Sequence, residues 1–359
     1  MSREATTTLG RPGKPTLVQG NIAIAEGAVK AGLKCYFGYP ITPQNQIPEY
    51  LSARLPEVGG VFLQAESELA SINMVLGAAS TGVRAMTSSS GPGVSLMQEG
   101  LSFIAGMQLP AVLADVMRCG PGLGGIKPTQ GDYYQATRGG GHGDYHTLVL
   151  APSSVQEMFD LTFLAFDLAD TYRNPVIVLA DAILGQMKEP AILEPERPPL
   201  EVDKPWAMTG AKGRPIRNVR SMYLEGDDQE QLNYMLREKY ARVKQNEQRS
   251  ESAWTDDADY VVVAFGIASR IVLNAVRLAR EEGLRVGLFR PVTLFPFPEE
   301  AMRTLSERVK RILVVEMNLG QMVDDVRASV VCDATVAFHG RPAGGIPSAE
   351  EIVAKLKEL

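Results

Sequence analysis

Short apolar runs alternate with amphipathic stretches along most of this chain, and that alternation predicts its elements. Cys35 to Tyr39, Val61 to Gln64, Arg84 to Ser88, Pro110 to Met117, Thr147 to Ala151 and Pro175 to Ala180 read as strands. Leu17 to Ala31, Pro43 to Leu55, Ser67 to Ser80, Gly93 to Gly106 and Ser154 to Asp170 read as helices. Gly32 and Gly82 close two of those helices. Short apolar strands interleaved with helical patterns predict a parallel, doubly wound sheet. A second unit of the same kind starts near Asp259. Its strands are Tyr260 to Phe265, Arg285 to Phe289, Arg311 to Glu316 and Ala334 to Phe338. Its helices are Ser269 to Glu282, Pro298 to Val309, Gln321 to Val330 and Ser348 to Leu359. The fold class is α/β, with two open, mainly parallel sheets carrying helices on both faces.

Two stretches break the alternation. Arg118 to Asp144 contains nine glycines and reads as one long loop. A structureless loop of that length in a compact domain is usually functional or disordered. From Glu189 to about Asp257, Pro190, Pro195, Pro198, Pro199 and Pro205 give an extended connector, and Gln229 to Glu251 a polar, charged helix. This stretch reads as a linker that wraps another surface. The organisation is then a flexible or partner-draped arm (1–15), a first domain (16–189), a connector (190–257) and a second domain (258–359).

Composition narrows the possibilities. A length of 359 residues fits about two domains. With 45% hydrophobic and 22% charged residues, the chain has the balance of a soluble globular protein. A net charge of −6 and a pI near 5.4 argue against a general nucleic-acid binder. No apolar run approaches the roughly 20 residues that span a bilayer. The first fifteen residues lack the apolar core of a signal peptide. Cys35, Cys119 and Cys332 are scattered and form no CxxC, which fits a reducing cytosol and a cytoplasmic location. Three cysteines cannot ligate an iron–sulfur cluster that takes four. His142 and His146 lie in the glycine-rich loop and read as polar loop residues rather than metal ligands.

The chemistry-bearing residues follow strands. Open α/β sheets bind ligands at the carboxyl ends of their strands. Gly38-Tyr39-Pro40-Ile41-Thr42-Pro43 follows the first strand, and Gln64-Ala65-Glu66-Ser67-Glu68 leads from the second into a helix. Glu66 and Glu68 either complement the helix dipole, worth about 0.3–1 kcal/mol, or present one carboxyl to a pocket as an acid or base. Thr87-Ser88-Ser89-Ser90-Gly91-Pro92-Gly93 lets backbone approach a ligand, and its N–H groups could bind an anion. Its spacing is neither that of a P-loop nor of GxGxxG. Arg118 ends the next strand, as a surface arginine or as a carboxylate clamp.

Together these loops resemble the alpha subunit of 2-oxoacid:ferredoxin oxidoreductases. The resemblance rests on Tyr39-Pro40-Ile41-Thr42-Pro43, on Glu66-Ser67-Glu68 and on Thr87 to Gly93. Arg118-Cys119-Gly120-Pro121 through Lys127-Pro128-Thr129-Gln130 adds to it. It covers nearly the whole chain. In the connector, Lys204-Pro205-Trp206-Ala207-Met208-Thr209-Gly210 is similar to the branched-chain (2-oxoisovalerate) and 2-oxoglutarate types. The resemblance implies a pyrimidine-binding thiamine domain followed by a transketolase C-terminal-like domain. It implies CoA-dependent oxidative decarboxylation of a 2-oxoacid to acyl-CoA and CO2, with electrons passing to ferredoxin. Glu68 matches the family's activating glutamate, whose carboxyl at N1′ of the aminopyrimidine favours the 4′-imino tautomer that takes the proton from thiazolium C2. Thr42 matches the threonine at the substrate's carboxylate or keto oxygen, and Arg118 the arginine that pairs with the carboxylate. Ile41, Thr42, Ser90, Gly91 and Pro92 would line the thiamine diphosphate.

The diphosphate-binding GDG signature and the cysteine quartet are missing here. In the split members of this family both lie on a beta subunit, with Mg2+ and a [4Fe-4S] cluster. The resemblance therefore implies that partner, with gamma and ferredoxin-like subunits and coenzyme A as co-substrate. Glu316, Asn318 and Gly320 end a strand of the second unit and read either as ordinary strand-end residues or as a subunit contact. Two other classes stand beside this reading. A non-catalytic assembly or regulatory subunit would show a degraded Glu68, Thr42 or Arg118, and all three are present. A non-redox thiamine-dependent decarboxylase or transketolase-type subunit would need its diphosphate site in this chain or in a partner without cysteine clusters. No residue of the loop from Cys119 to Gly141 reads as dedicated to an aliphatic, acidic or aromatic substrate.

Overall fold

The computed structural model describes residues 13–224 and 226–359, so all but the last three residues of the expected N-terminal arm lie outside it. The chain opens with β1 (Thr16–Gln19), α1 (Gly20–Lys30), β2 (Cys35–Gly38), α2 (Gln46–Glu57) and β3 (Val61–Gln64). It continues with α3 (Glu68–Ser80), β4 (Ala85–Ser89), α4 (Pro92–Gly106), β5 (Ala111–Met117), α5 (Tyr133–Arg138) and β6 (Leu148–Leu150). Then come α6 (Val155–Tyr172), β7 (Pro175–Asp181), α7 (Ala182–Gln186), β8 (Lys188–Ala191) and α8 (Asp228–Asn246). The remainder is β9 (Ser250–Ala253), β10 (Tyr260–Val263), α9 (Gly266–Glu281), β11 (Val286–Pro291), β12 (Thr293–Phe295) and α10 (Glu299–Arg308), followed by β13 (Arg311–Glu316), α11 (Met322–Ser329), β14 (Thr335–Gly340) and α12 (Ala349–Lys357).

A seven-stranded sheet has the order β12-β6-β7-β5-β4-β2-β3, parallel except for β12. A five-stranded sheet runs β14-β13-β10-β11-β9, parallel except for β9. Every residue of β5 and β7 is buried. Strands covered on both faces lose the polar alternation of a half-exposed strand, so their apolar runs are continuous. Asp115 interrupts that run in β5.

Four segments depart from the sequence pattern. The expected helix from Leu17 starts at Gly20, because Thr16–Gln19 pairs antiparallel with Lys188–Ala191. The Arg118 to Asp144 loop contains α5. The expected helix to Glu251 stops at Asn246, and Ser250–Ala253 pairs with β11. Thr293–Phe295, inside the stretch assigned to the second domain, adds a strand to the first sheet, with Thr293 opposite Leu150 and Phe295 opposite Val149. Buried apolar side chains of both sheets form one continuous core.

The connector covers the chain's own first sheet unit. Arg84, nearly buried, pairs with Asp167 and Asp170, both at 2.8 Å, and donates to the carbonyl of Leu200. Lys204 reaches Asp170 at 2.5 Å and the Gly82 carbonyl at 3.0 Å, and the Met208 N–H donates to Ser80. The polar helix α8 docks in the same way. Lys239 donates to the Arg173 carbonyl and Tyr240 to the Asn174 side chain. No helix among the described residues is long and apolar enough to cross a membrane.

Candidate active site

Four neighbouring parallel strands, β5, β4, β2 and β3, end on one edge of the larger sheet. Arg118, Ser90, Thr42 and Glu68 follow these four ends in turn. Strand direction gives the placement: parallel strands share a direction, so all their following loops meet on one edge.

Glu68 is the first residue of α3, capped by Ser67, whose Oγ accepts from the Ala70 N–H at 3.2 Å. It is only 6% exposed, and among the described residues no group hydrogen-bonds its carboxylate. Glu66, two residues earlier, is exposed and accepts from the Ser67 hydroxyl. Opposite Glu68 stands the start of α4. A Cβ at Gly93 would collide with Ser89 Oγ and Glu68 Oε1, so this approach requires glycine. The hydroxyls of Thr87, Ser89 and Ser90 are buried and have no partner. Buried polar groups are normally satisfied, and a cluster of orphans beside an unpartnered carboxylate marks a place built for a ligand.

The Thr42 loop is held from beneath. The Pro43 carbonyl accepts from Asn21 at 2.8 Å and from Gln186 at 2.7 Å. Gln44, fully buried, accepts from Ser88 Oγ, which is also 2.6 Å from the Tyr36 hydroxyl. Thr42 is exposed and Ile41 half-buried, as are Gly91 and Pro92. Arg118 is 8% exposed. Its guanidinium donates to the carbonyls of Thr42 (3.0 Å) and Leu123 (3.1 Å), and Nε has no partner. Among the described residues no carboxylate lies within ion-pairing distance. A nearly buried cation with two of its five N–H groups engaged is costly until an anion arrives.

Two further carboxyls stand behind it, Asp115 on β5 and Asp132 before α5. Burial pushes Asp115 well up, its neighbour Asp132 adds repulsion, and the Gly91 N–H offsets part of this. Burial lifts Asp132 to about 6, against the pull of the Arg118 guanidinium. Asp181, at the end of β7, accepts from the Ile267 N–H of α9 at 2.7 Å, and burial raises it to about 7. Sequence reasoning missed Asp115, Asp132 and Asp181. For Asp115 and Asp181 the available signal was a lone acid in or ending an otherwise apolar strand; Asp132, in the glycine-rich loop, carried none.

A raised carboxyl has a sign in stability. The folded chain holds a proton at Asp181 that the unfolded chain, with a value near about 4, has released. That contribution is complete below about pH 4 and is lost as pH rises through about 7. We expect the melting temperature to fall by several degrees between about pH 5 and 8, and Asp181→Asn to flatten part of that slope. An unchanged slope in the asparagine variant would mean that Asp181 is ionised throughout.

The strand-end residues of the second unit serve inside the chain. Glu316 is fully buried and accepts from the N–H groups of Met322 (2.9 Å) and Val323 (3.0 Å) at the start of α11. Asn318 bonds Glu316 and the Gln130 carbonyl, both at 2.8 Å. These contacts hold Glu316 and Asn318 within this chain, while Leu319 between Asn318 and Gly320 is exposed.

Comparison with known proteins agrees with this architecture. Residues 26–253 match the family described as pyruvate flavodoxin/ferredoxin oxidoreductase, thiamine diphosphate-binding. Residues 258–352 match pyruvate:ferredoxin oxidoreductase core domain II. The ketoisovalerate oxidoreductase subunit VorB of Methanothermobacter thermautotrophicus is 52% identical, over 96% of this chain and 97% of that one. The 2-oxoglutarate synthase subunit KorA of Methanothermobacter marburgensis is 39% identical, over 94% and 97%. The 2-oxoglutarate:ferredoxin oxidoreductase of Magnetococcus marinus, solved with 2-oxoglutarate, coenzyme A and succinyl-CoA, superposes with a TM-score of 0.86 at 28% identity. That superposition covers 97% of this chain and 65% of the longer one. A split-gene transketolase shares the fold, with a TM-score of 0.58 at 13% identity. A chain matched from end to end by these subunits, with both family regions in order, belongs to the 2-oxoacid:ferredoxin oxidoreductases, enzymes that use thiamine diphosphate, coenzyme A and iron–sulfur clusters.

Proposed function

We propose that this chain is the alpha-type subunit of an oxidoreductase acting on a branched-chain 2-oxoacid, and that it supplies the aminopyrimidine and carboxylate half of the active site. The nearly buried Arg118, with no carboxylate within ion-pairing distance among the described residues, carries this reading. Thiamine diphosphate supplies, when bound, the carbanion equivalent that attacks the keto carbon. The residues fit its aminopyrimidine: Glu68 offers an unpartnered carboxyl, and Ser89 and Ser90 offer unpartnered hydroxyls. In this reading Glu68 holds the proton at N1′, and Ile41, Thr42, Ser90, Gly91 and Pro92 wall the ring. Thr42 meets the substrate's oxygens and Arg118 its carboxylate.

The aliphatic preference rests on two supports. The 52%-identical relative is a ketoisovalerate oxidoreductase subunit. The Arg118 guanidinium also donates to the carbonyl of Leu123, and the loop it holds exposes two apolar side chains, Leu123 and Ile126. A partner beta subunit would complete the site with the diphosphate, Mg2+ and a [4Fe-4S] cluster, joined by gamma and ferredoxin-like subunits that pass electrons to ferredoxin in the cytoplasm. The relatives' status as subunits supports a multi-chain complex. So do the free edge strand β3, where Val61 and Leu63 are exposed, and the exposed Leu69 of α3 and Leu96 of α4. Of the division into 16–189, 190–257 and 258–359, the boundary near 257 is supported by the two matched family regions, 26–253 and 258–352, although β12 crosses it.

The test is a purified complex assayed with 2-oxoisovalerate, 2-oxoglutarate, pyruvate and an aryl pyruvate, with coenzyme A and a viologen dye. We expect kcat/KM for 2-oxoisovalerate to exceed that for 2-oxoglutarate by at least about tenfold, the scale set by apolar pocket contacts. Equal or reversed values would remove the branched-chain assignment.

A further inference from the structure

The loop from Arg118 to Asp144 has two halves. Residues 119–127 close on themselves: the Cys119 N–H donates to Lys127 at 3.0 Å, and the Gly125 N–H to Cys119 at 2.9 Å. Arg118 spans this small ring through the Leu123 carbonyl. Three residues beyond Lys127 lies Gln130, fully buried and far from any reacting group in sequence terms. All four of its polar groups engage the second sheet unit. Its N–H donates to the Met317 carbonyl at 3.0 Å, and its carbonyl accepts from Asn318 at 2.8 Å. Its side-chain oxygen accepts from the Met317 N–H at 3.1 Å, and its amide nitrogen donates to the Phe265 carbonyl at 2.9 Å. The side chain therefore does for Met317 and Phe265 what a strand neighbour would do.

The receiving surface is itself fixed. Glu316, next to Met317, caps α11, and Phe265 precedes α9, whose Ile267 N–H holds Asp181. Gly266 has φ +55°, and a Cβ there would collide with Asp181 and press on the Gln130 amide. Thr129 adds a bond to the Met317 carbonyl at 2.9 Å. Beyond Gln130, Tyr133 donates to Asp325 at 2.6 Å, Tyr134 donates to Asp324, and Arg138 pairs with Asp325 at 2.7 Å.

We propose that Gln130 is a positioning residue for the 2-oxoacid: it anchors the Arg118 loop to the second sheet unit and so sets where the guanidinium meets the substrate carboxylate. This rests on the reading that Arg118 binds that carboxylate. The second unit, which carries no candidate catalytic group, thereby acts as the strut of the substrate site. Losing the side chain leaves this end of the 119–127 ring held only by the main-chain bonds of Gln130, by Thr129 and by the α5 contacts, and the ordering it lost must come from substrate binding energy.

The experiment uses the assembled complex with Gln130→Ala and Gln130→Met. It reads KM and kcat for the 2-oxoacid, amide hydrogen exchange of residues 119–131, and C2–H exchange of bound thiamine diphosphate. For the alanine variant we expect faster amide exchange across 119–127 and a KM raised about fivefold or more, with kcat and C2 exchange near wild type. The methionine variant keeps the side-chain volume and loses both the acceptor for Met317 and the donor to Phe265, so it should match alanine without opening a cavity. Faster loop exchange with KM within about twofold of wild type would overturn the positioning role. Unchanged loop exchange in both variants would overturn the anchor itself. Should alanine prevent assembly, the methionine variant decides by the same readings. Arg118→Ala measured alongside separates the two ideas: if it leaves the 2-oxoacid KM unchanged, the carboxylate reading fails, whereas loop exchange still judges the anchor.

Discussion

Glu68→Gln is expected to slow C2–H/D exchange of bound thiamine diphosphate by roughly 10²- to 10⁴-fold, the range of a lost acid–base group, while the complex still assembles. Glutamine keeps the length and shape of the side chain at the start of α3. It also fits the narrow space against Gly93, so packing between α3 and α4 is preserved. What it loses is the ability to hold or release a proton at N1′. The surroundings make that loss consequential. Glu68 is nearly buried and has no internal partner among the described residues, so no neighbouring carboxylate can take over. Glu66→Gln serves as the control. Its side chain is exposed and bonded to Ser67, and exchange should remain near wild type. Wild-type exchange in Glu68→Gln, with loss in Glu66→Gln, would transfer the role to Glu66.

Arg118→Ala should raise KM for the 2-oxoacid by roughly ten- to a hundredfold, because a charge-assisted hydrogen bond to a carboxylate is worth about 1.5–3 kcal/mol. The KM for coenzyme A and for ferredoxin should move little. A planar guanidinium matches a carboxylate with two parallel bonds, which an ammonium does not, so Arg118→Lys should recover only part of the loss. The variant also releases the carbonyls of Thr42 and Leu123. Part of the effect will therefore be loop disorder, and amide exchange over 119–127 measures that part. If KM for coenzyme A rises and that for the 2-oxoacid does not, Arg118 belongs to the thioester site.

The candidate site was legible to the extent that its residues follow strands. Thr42, Glu68, Ser90 and Arg118 each follow a strand, and parallel strands bring such positions to one edge whatever the details of packing. The fold class was legible for the same reason. Buried strands such as β5 and β7 write their environment into consecutive residues, and a helix writes its buried stripe into a 3.6-residue period. Even the helix cap at Ser67 is local, since it joins residues three apart.

Local pattern did not decide between Glu66 and Glu68. Both are acids at a helix start, and only the approach of α4 through Gly93 buries one of them. The connector's proline-rich composition announced an extended path but not its destination, which is set by Arg84, Asp167 and Asp170 of its own chain. Three-residue β12 has too few positions to show a period, and its partner β6 lies more than a hundred residues earlier. The glycine-rich stretch that read as one structureless loop is bolted down at Gln130 by groups 187 residues away. Amphipathic periods are properties of neighbouring residues and survive in a bare sequence. Hydrogen bonds across such separations exist only once two surfaces have met, and here that meeting decides which residues of the carboxyl-end loops are held and which stay free for a ligand.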